Sequence, residues 1–214
     1  MVKQKTSLKL KIKIRKRRPI RRRKMSQVVT LSDKDKRTAL EIARYSLESV
    51  IRKHEIPDPK EIEEKFELSD ALKQVTGVFV TLRTARRDGT KTKNLRGCVG
   101  YVESDIPIYE AITHNAYNAS CRDHRFPQVQ PSELSKLSIV VSVMSPLAKC
   151  TPDDVVVGRD GLVLENGDNR GIYLPQFAVE GGWDRIGFLE NVSVKAGLDK
   201  DKWKDEKSVL YHFT

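Results

Sequence analysis

The stretch from Leu95 to Gly100, which reads Leu-Arg-Gly-Cys-Val-Gly, carries side chains suited to chemistry. Two glycines within one strand are costly unless a backbone or a ligand must approach closely. The two-residue period of a strand places Arg96 and Cys98 on one face. An arginine that touches a thiol favours the nucleophilic thiolate, so Cys98 is a candidate catalytic residue. Arg96 and Gly97 are candidate substrate-binding residues. The alternative for Cys98 is a small, buried apolar residue, the commonest fate of a free cysteine.

A second stretch, Arg122 to Pro127, reads Arg-Asp-His-Arg-Phe-Pro and follows a predicted helix. It places basic side chains and one acid just ahead of an aromatic ring. Asp123 is therefore a candidate catalytic acid or base, and Arg125 a candidate substrate-binding residue for an anionic group. The alternative is structural, with Asp123 and Arg125 tying down a loop through hydrogen bonds.

The remaining motifs favour structure over catalysis. In the stretch Gly181 to Asp184, the tryptophan is typical of a core and the aspartate of a helix cap. The sequence has no P-loop, serine-hydrolase elbow, HExxH motif or dinucleotide-binding glycine motif. The four histidines lack metal-ligand spacing, so no metal site is predicted. The cofactor, if any, is not specified by the sequence.

The positive charge is concentrated at the N-terminus. The chain has 214 residues, 40 Lys and Arg, 29 Asp and Glu, and a net charge of +11. Residues 1–24 hold 13 of the basic residues and no acid, so the rest is nearly neutral. We expect residues 1–24 to form a disordered tail that could bind RNA phosphates or an anionic membrane surface. The alternative is that this tail is not native, because Met25 stands where a natural N-terminus would precede the first predicted helix.

Residues 25–214 are predicted to form one domain, since they can bury a sizeable core. No apolar run approaches the roughly 18 residues of a membrane-spanning helix, and the basic N-terminus lacks the apolar segment of a signal peptide. The three cysteines, Cys98, Cys121 and Cys150, form no close pair in the sequence. A sparse, odd set of cysteines favours a reducing, cytoplasmic location.

Hydrophobic periodicity and turn signals predict interspersed helices and strands. A first helix is expected at 33–53, capped by Ser32 and ended by Pro57 and Pro59. A second helix is expected to start after a cap at Ser104 or Asp105. A third is expected from Asp184 to Gly197. Strands are expected at 77–82, 95–102, 137–144, 161–165, 171–174 and 208–213, the first two joined by a turn at 86–90. Tight hairpins among these elements predict an α+β fold with mainly antiparallel or mixed sheets and flanking helices.

Together these stretches resemble the AMMECR family. Leu95 to Gly100 matches that family's Leu-Arg-Gly-Cys-Ile-Gly signature, with Val99 in place of isoleucine. The other matching positions, in chain order, are Gly77 to Thr81, Asp123, Arg125 to Pro127, Glu133-Leu134, Leu137, Val141-Ser142, Leu174-Pro175, Gly182 to Asp184 and Lys195 to Gly197. The resemblance runs from about residue 30 to the C-terminus, and residues 1–24 have no counterpart in it.

The resemblance implies an α+β fold of two unequal lobes, the larger built from both ends of the chain. A cleft between the lobes, near the signature, is the natural site. No reaction is securely assigned to this family. In many prokaryotes its domain is fused to, or encoded beside, a Memo-type protein and a radical-SAM protein, which makes both candidate partners.

Three functions follow as hypotheses. The first is an enzyme or enzyme component in whose cleft Arg96 and Arg125 hold a small anionic substrate, while Cys98 or Asp123 takes part in the chemistry. The second is a non-catalytic adaptor that docks a Memo-like or radical-SAM partner through an exposed apolar patch. The third is RNA binding through the basic tail. We rank the first slightly ahead of the second, and RNA binding last.

Overall fold

The first helix is fixed at both ends by local hydrogen bonds. The computed structural model describes residues 28–85 and 93–214, and its helix α1 spans Asp33–Lys53, as predicted. The Ser32 backbone amide donates to the Asp35 carboxylate at 2.9 Å, and the Asp35 amide donates back to the Ser32 hydroxyl at 3.2 Å. Such a reciprocal capping box satisfies two amides that a helix leaves unpaired. The helix ends at His54, which adopts a left-handed conformation with φ 61°, ahead of the prolines predicted to end it.

A three-stranded antiparallel sheet forms the centre of the first lobe, residues 28–145. Its strands are β1 (Val78–Ala85), β2 (Lys93–Tyr101) and β3 (Leu137–Val143), in the order β2-β1-β3. Alternate side chains of a strand point to opposite faces. Val78, Val80 and Leu82 of β1 are accordingly buried in the core of the lobe. The residues between them lie on the opposite face, which is where the second lobe approaches.

Helices cover the inner face of this sheet. They are α1, α2 (Pro59–Lys65) and α3 (Ile108–Tyr117). Fully buried side chains of α1 and α3, among them Ile42, Leu47 and Ile112, pack with β1 in one hydrophobic cluster. A π-helical turn, Asn118–Arg122, extends α3 towards β2. This helical layer therefore holds β1 and β2 rigidly from one side.

The second lobe, residues 146–214, is a four-stranded antiparallel sheet with two helices. Its elements are β4 (Ala148–Lys149), β5 (Gly161–Asn166), β6 (Asn169–Tyr173), α4 (Pro175–Glu180), α5 (Arg185–Lys195) and β7 (Val209–Phe213), with strand order β4-β7-β5-β6. The predicted hairpin at β5–β6 is confirmed, and Gly167 in its turn has φ 59°. The predicted cap of α5 is also confirmed, since the Asp184 carboxylate accepts from the Gly187 amide at 2.7 Å.

A small hydrophobic cluster joins the two lobes. Val102 and Met144 of the first lobe are buried with Val163, Leu174 and Phe213 of the second. Two aromatic side chains, Phe79 of β1 and Phe177 of α4, pack against this cluster. Phe79 alternates with the buried core residues of β1, so the cluster covers one end of the outer face of the sheet. The rest of that face lies between the lobes.

The predicted α+β class is confirmed, and two finer predictions are wrong. The larger lobe is not built from both ends of the chain, because β7 pairs with β4 and β5 inside the second sheet. Neither Ser104 nor Asp105 caps α3: its N-cap is Pro107, and the Ser104 hydroxyl accepts instead from the Ile106 amide. The predictions for residues 1–24 and for the turn at 86–90 lie outside the described residues. Within residues 28–85 and 93–214, no helix has the length and apolarity needed to cross a membrane.

We predict that Ile112→Ala lowers the free energy of unfolding by about 2–5 kcal/mol, because it leaves a cavity in the core beneath β1. Ile112 is fully buried, whereas Leu40 on α1 is 43% exposed. Leu40→Ala is the matched control and should change the free energy by less than about 0.5 kcal/mol. Urea unfolding monitored by circular dichroism measures both. Equal losses in the two variants would contradict the assignment of this core.

Candidate functional site

Cys98 lies on the outer face of the first sheet, between the lobes. It pairs with Thr81 across the β1–β2 ladder, and the Thr81 hydroxyl donates to the Cys98 sulfur at 3.2 Å. Thr81 in turn lies opposite Val140 of β3, which is 44% exposed. Cys98 itself is partly buried. We call this surface, formed by Thr81, Arg83, Cys98, Val140 and Ser142, the interlobe face.

Asp123 and Arg125 form hydrogen bonds with the backbone of Cys98 at the free edge of β2. The Cys98 amide donates to Asp123 Oδ2 at 2.9 Å, and Arg125 Nη2 donates to the Cys98 carbonyl at 2.9 Å. The same guanidinium binds the Asp123 carboxylate through Nε at 2.9 Å and Nη2 at 2.7 Å. We call this pair the edge clip. It satisfies the amide and carbonyl that an edge strand would otherwise present to solvent or to another chain.

The edge clip argues against Asp123 as an acid or base. Hydrogen bonds from the Arg125 guanidinium, helped by those from the Cys98 and Arg125 amides, hold the pKa of the Asp123 carboxyl at about 2, despite its burial. A carboxylate with so low a pKa is a poor proton acceptor at neutral pH. Both of its oxygens are also occupied. This geometry favours the structural alternative, in which Asp123 holds the backbone of Cys98, and the catalytic role of Asp123 stays a prediction.

Arg96 is directed away from the thiol by a β-bulge. The register passes from Leu82–Gly97 to Arg83–Leu95, so Arg96 is the extra residue and has no partner on β1. Its Nε and Nη2 donate to the two oxygens of Glu133 at 2.8 and 2.9 Å. These bonds lower the pKa of the Glu133 carboxyl. Arg96 therefore pairs with a carboxylate of the chain itself, and its predicted role in substrate binding stays a prediction.

Gly97 is required by close packing of the backbone. A Cβ atom at this position would lie 2.1 Å from the carbonyl oxygen of Ala119, within the π-helical turn. The turn can therefore approach β2 only where the strand has no side chain, and this approach brings Asp123 to the Cys98 amide. π-Helical turns frequently occur at functional sites. Of the two close approaches that the sequence allowed at Gly97, by a backbone or by a ligand, the structure shows that of the chain's own backbone, and the role of Gly97 in substrate binding stays a prediction.

Helix α4 of the second lobe crosses the interlobe face. Its Phe177 packs on the interlobe cluster beside Phe79, and its Glu180 accepts from Arg83 Nη2 at 3.3 Å. Phe79, Thr81 and Arg83 alternate along β1, so Thr81 lies between these two contacts. The side chain of Arg83 is 28% exposed and that of Glu180 is 53% exposed. The interlobe face is therefore bounded by an aromatic contact at one end and by an ion pair at the other.

The other two cysteines are also partly buried, but their neighbours differ. Cys121 packs against the core of the first lobe, and Cys150 against the core of the second. Burial raises the pKa of the Cys150 thiol to about 11, which keeps it protonated at neutral pH. Among the described residues, no group of three or more histidines, cysteines or acidic side chains is placed to hold a metal ion.

Two surface cavities of the first lobe lie away from these residues. The larger, of about 440 Å³, is lined by Glu63, Phe66, Glu67, Leu68 and Lys73. The smaller, of about 130 Å³, is lined by residues of α1. Neither is lined by Cys98 or by a residue of the edge clip.

Sequence reasoning did not find Thr81, Arg83, Glu133 or Glu180 as site residues. Thr81 and Arg83 alternate with the apolar Val80 and Leu82, and this pattern could have placed them on one polar face. No local signal pairs Glu133 with Arg96, or Glu180 with Arg83, because 37 and 97 residues separate the partners. These contacts depend on the tertiary fold.

Comparison with known proteins agrees with this fold. Residues 40–214 match the AMMECR1 family profile. A protein of Methanothermobacter thermautotrophicus is 40% identical over 190 residues, which cover 86% of this chain and 93% of that protein. A protein of Thermococcus kodakarensis is 38% identical over 179 residues, covering 81% and 84%. The crystal structure of an uncharacterized protein from Pyrococcus horikoshii superposes with a TM-score of 0.78 at 34% identity, covering 86% of this chain and 90% of that one. The chain belongs to the AMMECR1 family.

We predict that Asp123→Asn destabilises the protein by about 2 kcal/mol at pH 7, and that the loss shrinks in acid. The folded carboxyl has a pKa of about 2, against an ordinary value of 3.8. A depressed folded pKa stabilises the native state above the unfolded pKa, and this contribution is lost as the pH falls through 4 towards 2. Urea unfolding of both proteins at pH 7, 5, 4 and 3 measures the difference.

The control for this experiment is Glu67→Gln. Glu67 pairs with Lys34, but its side chain is 83% exposed, so its loss should cost little at any pH. A difference between wild type and Asp123→Asn that stays constant from pH 7 to pH 3 would show that the edge clip does not depend on the charge of Asp123.

Proposed function

We propose that this protein is an enzyme, or a component of one, that binds a small anionic substrate against the interlobe face, where the thiol of Cys98 takes part in the chemistry. The observation that carries the proposal is the position of Cys98. Its sulfur lies on the outer face of the sheet, accepts a hydrogen bond from Thr81 and is held by a backbone that the edge clip fixes. A thiol needs access and a defined position to react with a substrate.

The contrast with the other cysteines supports this assignment. Cys121 and Cys150 pack against hydrophobic cores, as structural cysteines do, and burial raises the pKa of Cys150. Two ionised side chains, Asp123 and Arg125, hydrogen-bond to the backbone of Cys98. A cysteine that only fills space in a core does not need such bonds. Of the two readings that the sequence left open, the geometry favours the functional one.

Positive charge beside Cys98 favours an anionic substrate. Arg125 uses Nε and Nη2 within the edge clip, while about half of its side chain, 47%, remains exposed. Its Nη1 is not engaged by the described residues, so it can donate to an added carboxylate or phosphate. The available Nη1 group supports Arg125 as a substrate-binding residue in this proposal, in addition to its bonds to the strand.

The adaptor and RNA hypotheses stay predictions. Docking of a Memo-like or radical-SAM partner rests on the family resemblance. RNA binding rests on residues 1–24, which lie outside the described residues. Neither hypothesis accounts for a cysteine held in this way between two lobes.

We predict that iodoacetamide alkylates Cys98 in the native protein at least tenfold faster than Cys121 or Cys150, because the latter two pack against hydrophobic cores. Peptide mass mapping after timed quenching at pH 8 measures the three rates separately. The same reaction in 8 M urea is the control, since all three thiols should then react at similar rates. A native Cys98 that reacts no faster than Cys150 would eliminate the thiol role.

A further inference from the structure

The two edges of the first sheet are protected to different extents. At β2 the edge clip bonds to the backbone of Cys98, and at β3 the Arg44 guanidinium donates to the Leu137 carbonyl at 2.7 Å. Beyond Leu137, no described residue pairs with the free side of β3. Native proteins normally cover an edge strand or place charged residues or proline in it. Residues 137–143 contain neither a charge nor a proline, so this edge lacks the usual protection against pairing with another strand.

The unpaired backbone groups of this edge belong to Ile139, Val141 and Val143. Hydrogen-bonded positions alternate along an antiparallel strand. On the β1 side, the Met144 amide donates to the Gly77 carbonyl at 2.9 Å, so every second residue before Met144 also bonds to β1. The three residues between those positions present their amides and carbonyls to the free side. We call this surface, formed by Ile139, Val141 and Val143, the open edge.

The side chains of the open edge lie on the inner face of the sheet, where their coverage is incomplete. Each of the three lies opposite a fully buried residue of β1, yet all three are only partly buried at the margin of the first core. Val140, which alternates with them, lies on the outer face and is 44% exposed. A strand that fits this edge is therefore apolar on its inner side and polar on its outer side.

A segment with this pattern is present in the same chain. Residues 8–14 read Leu-Lys-Leu-Lys-Ile-Lys-Ile, in which apolar and basic side chains alternate strictly. Such alternation is the pattern of a half-buried strand, with leucine and isoleucine on one face and lysine on the other. The segment therefore matches the open edge in its period and in the polarity of its two faces, and its seven residues are enough to span residues 139–143.

The described chain begins near enough for this segment to reach the open edge. Val29 and Leu31 pack against the core of the first lobe, which the open edge also borders. Residues 15–27 connect the segment to this point, and when extended they span up to about 45 Å. Helix α1, which packs beside β3, is about 30 Å long. The connection is therefore long enough to reach any point along β3.

We propose that residues 8–14 add to the open edge as a fourth strand of the first sheet, within the same chain. Main-chain hydrogen bonds to the open edge supply the pairing, as when an extended peptide adds to a sheet edge. The apolar row extends the core beside α1, and the three lysines lie beside Val140 on the side of the sheet that carries the interlobe face. The proposal concerns the N-terminal segment and does not depend on the function proposed above.

Amide hydrogen exchange at the open edge, measured by NMR in the full-length protein, tests this proposal. The variant is Ile12→Pro, because proline within a strand removes one amide and interrupts the ladder. We expect the amides of Ile139, Val141 and Val143 to be protected in wild type and to exchange at least about tenfold faster in Ile12→Pro. The amide of Val140, which bonds to β1, is the internal reference and should keep its protection.

The matched control is Ile20→Pro, which makes the same change in the N-terminal tail but outside the alternating segment. All exchange rates in this variant should equal those of wild type. A second pair of variants tests the apolar face without proline. Ile12→Lys keeps the amide but places a charge among the apolar side chains, so it should also speed exchange at the open edge, whereas Ile20→Lys should not. Each protein is measured at low and at high protein concentration.

Each outcome decides for or against the proposal. Protection that is lost in Ile12→Pro, kept in Ile20→Pro and independent of protein concentration supports it. Open-edge amides that exchange freely in wild type would show that nothing covers the edge. Protection that survives in Ile12→Pro, or that rises with protein concentration, would assign the edge to another strand, such as that of a second copy of the chain. Equal acceleration in Ile12→Pro and Ile20→Pro would place the pairing outside residues 8–14. Each of these last three results overturns the proposal.

Discussion

The hydrogen bonds between the edge clip and the backbone of Cys98 hold together the part of the molecule that matters most for its proposed function. Strand β2 lies at the edge of its sheet, so one side of its backbone has no neighbouring strand. Asp123 and Arg125 take the place of that strand at a single residue. The arrangement needs the π-helical turn to approach β2, and Gly97 is what permits that approach. One ion pair therefore closes a sheet edge and fixes the position of a thiol.

The two faces of the first sheet have different roles: the inner face forms the core, and the outer face carries the candidate site. The inner face of β1, with Val80 and Leu82, is buried under helices that supply most of the core of the lobe. The outer face packs against the second lobe at the end near Phe79. Beyond that contact it carries Thr81, Cys98, Arg83 and the exposed Val140, and Arg83 contacts Glu180 at the end of α4. A reactive site suits this position, because a rigid sheet supplies one wall and a short, separate helix supplies the other.

The sequence predicted the helices and strands well, because local spacing determines them. It predicted the contacts between distant residues poorly, because these depend on the assembled fold. Helix α1 and the α5 cap follow from side chains that bond to nearby amides, so local spacing specified them. Period-two alternation placed the strands, but it could not show the bulge that turns Arg96 away from Cys98. Asp123 was singled out by residue type, yet its role depends on a bond to a strand 25 residues earlier. Which carboxylates pair with which arginines is settled only when the lobes are assembled.

Amide hydrogen exchange at Cys98 tests the central claim most directly, because in this account the proton bonds to a carboxylate and not to another strand. We expect protection of the Cys98 amide in wild type, and a loss of at least about tenfold in Asp123→Ala, with the amides shared between β1 and β3 unchanged. Glu133→Ala, which breaks the neighbouring pair with Arg96, should leave the Cys98 amide protected. A Cys98 amide that exchanges as fast in wild type as in Asp123→Ala would show that the edge clip does not hold the strand.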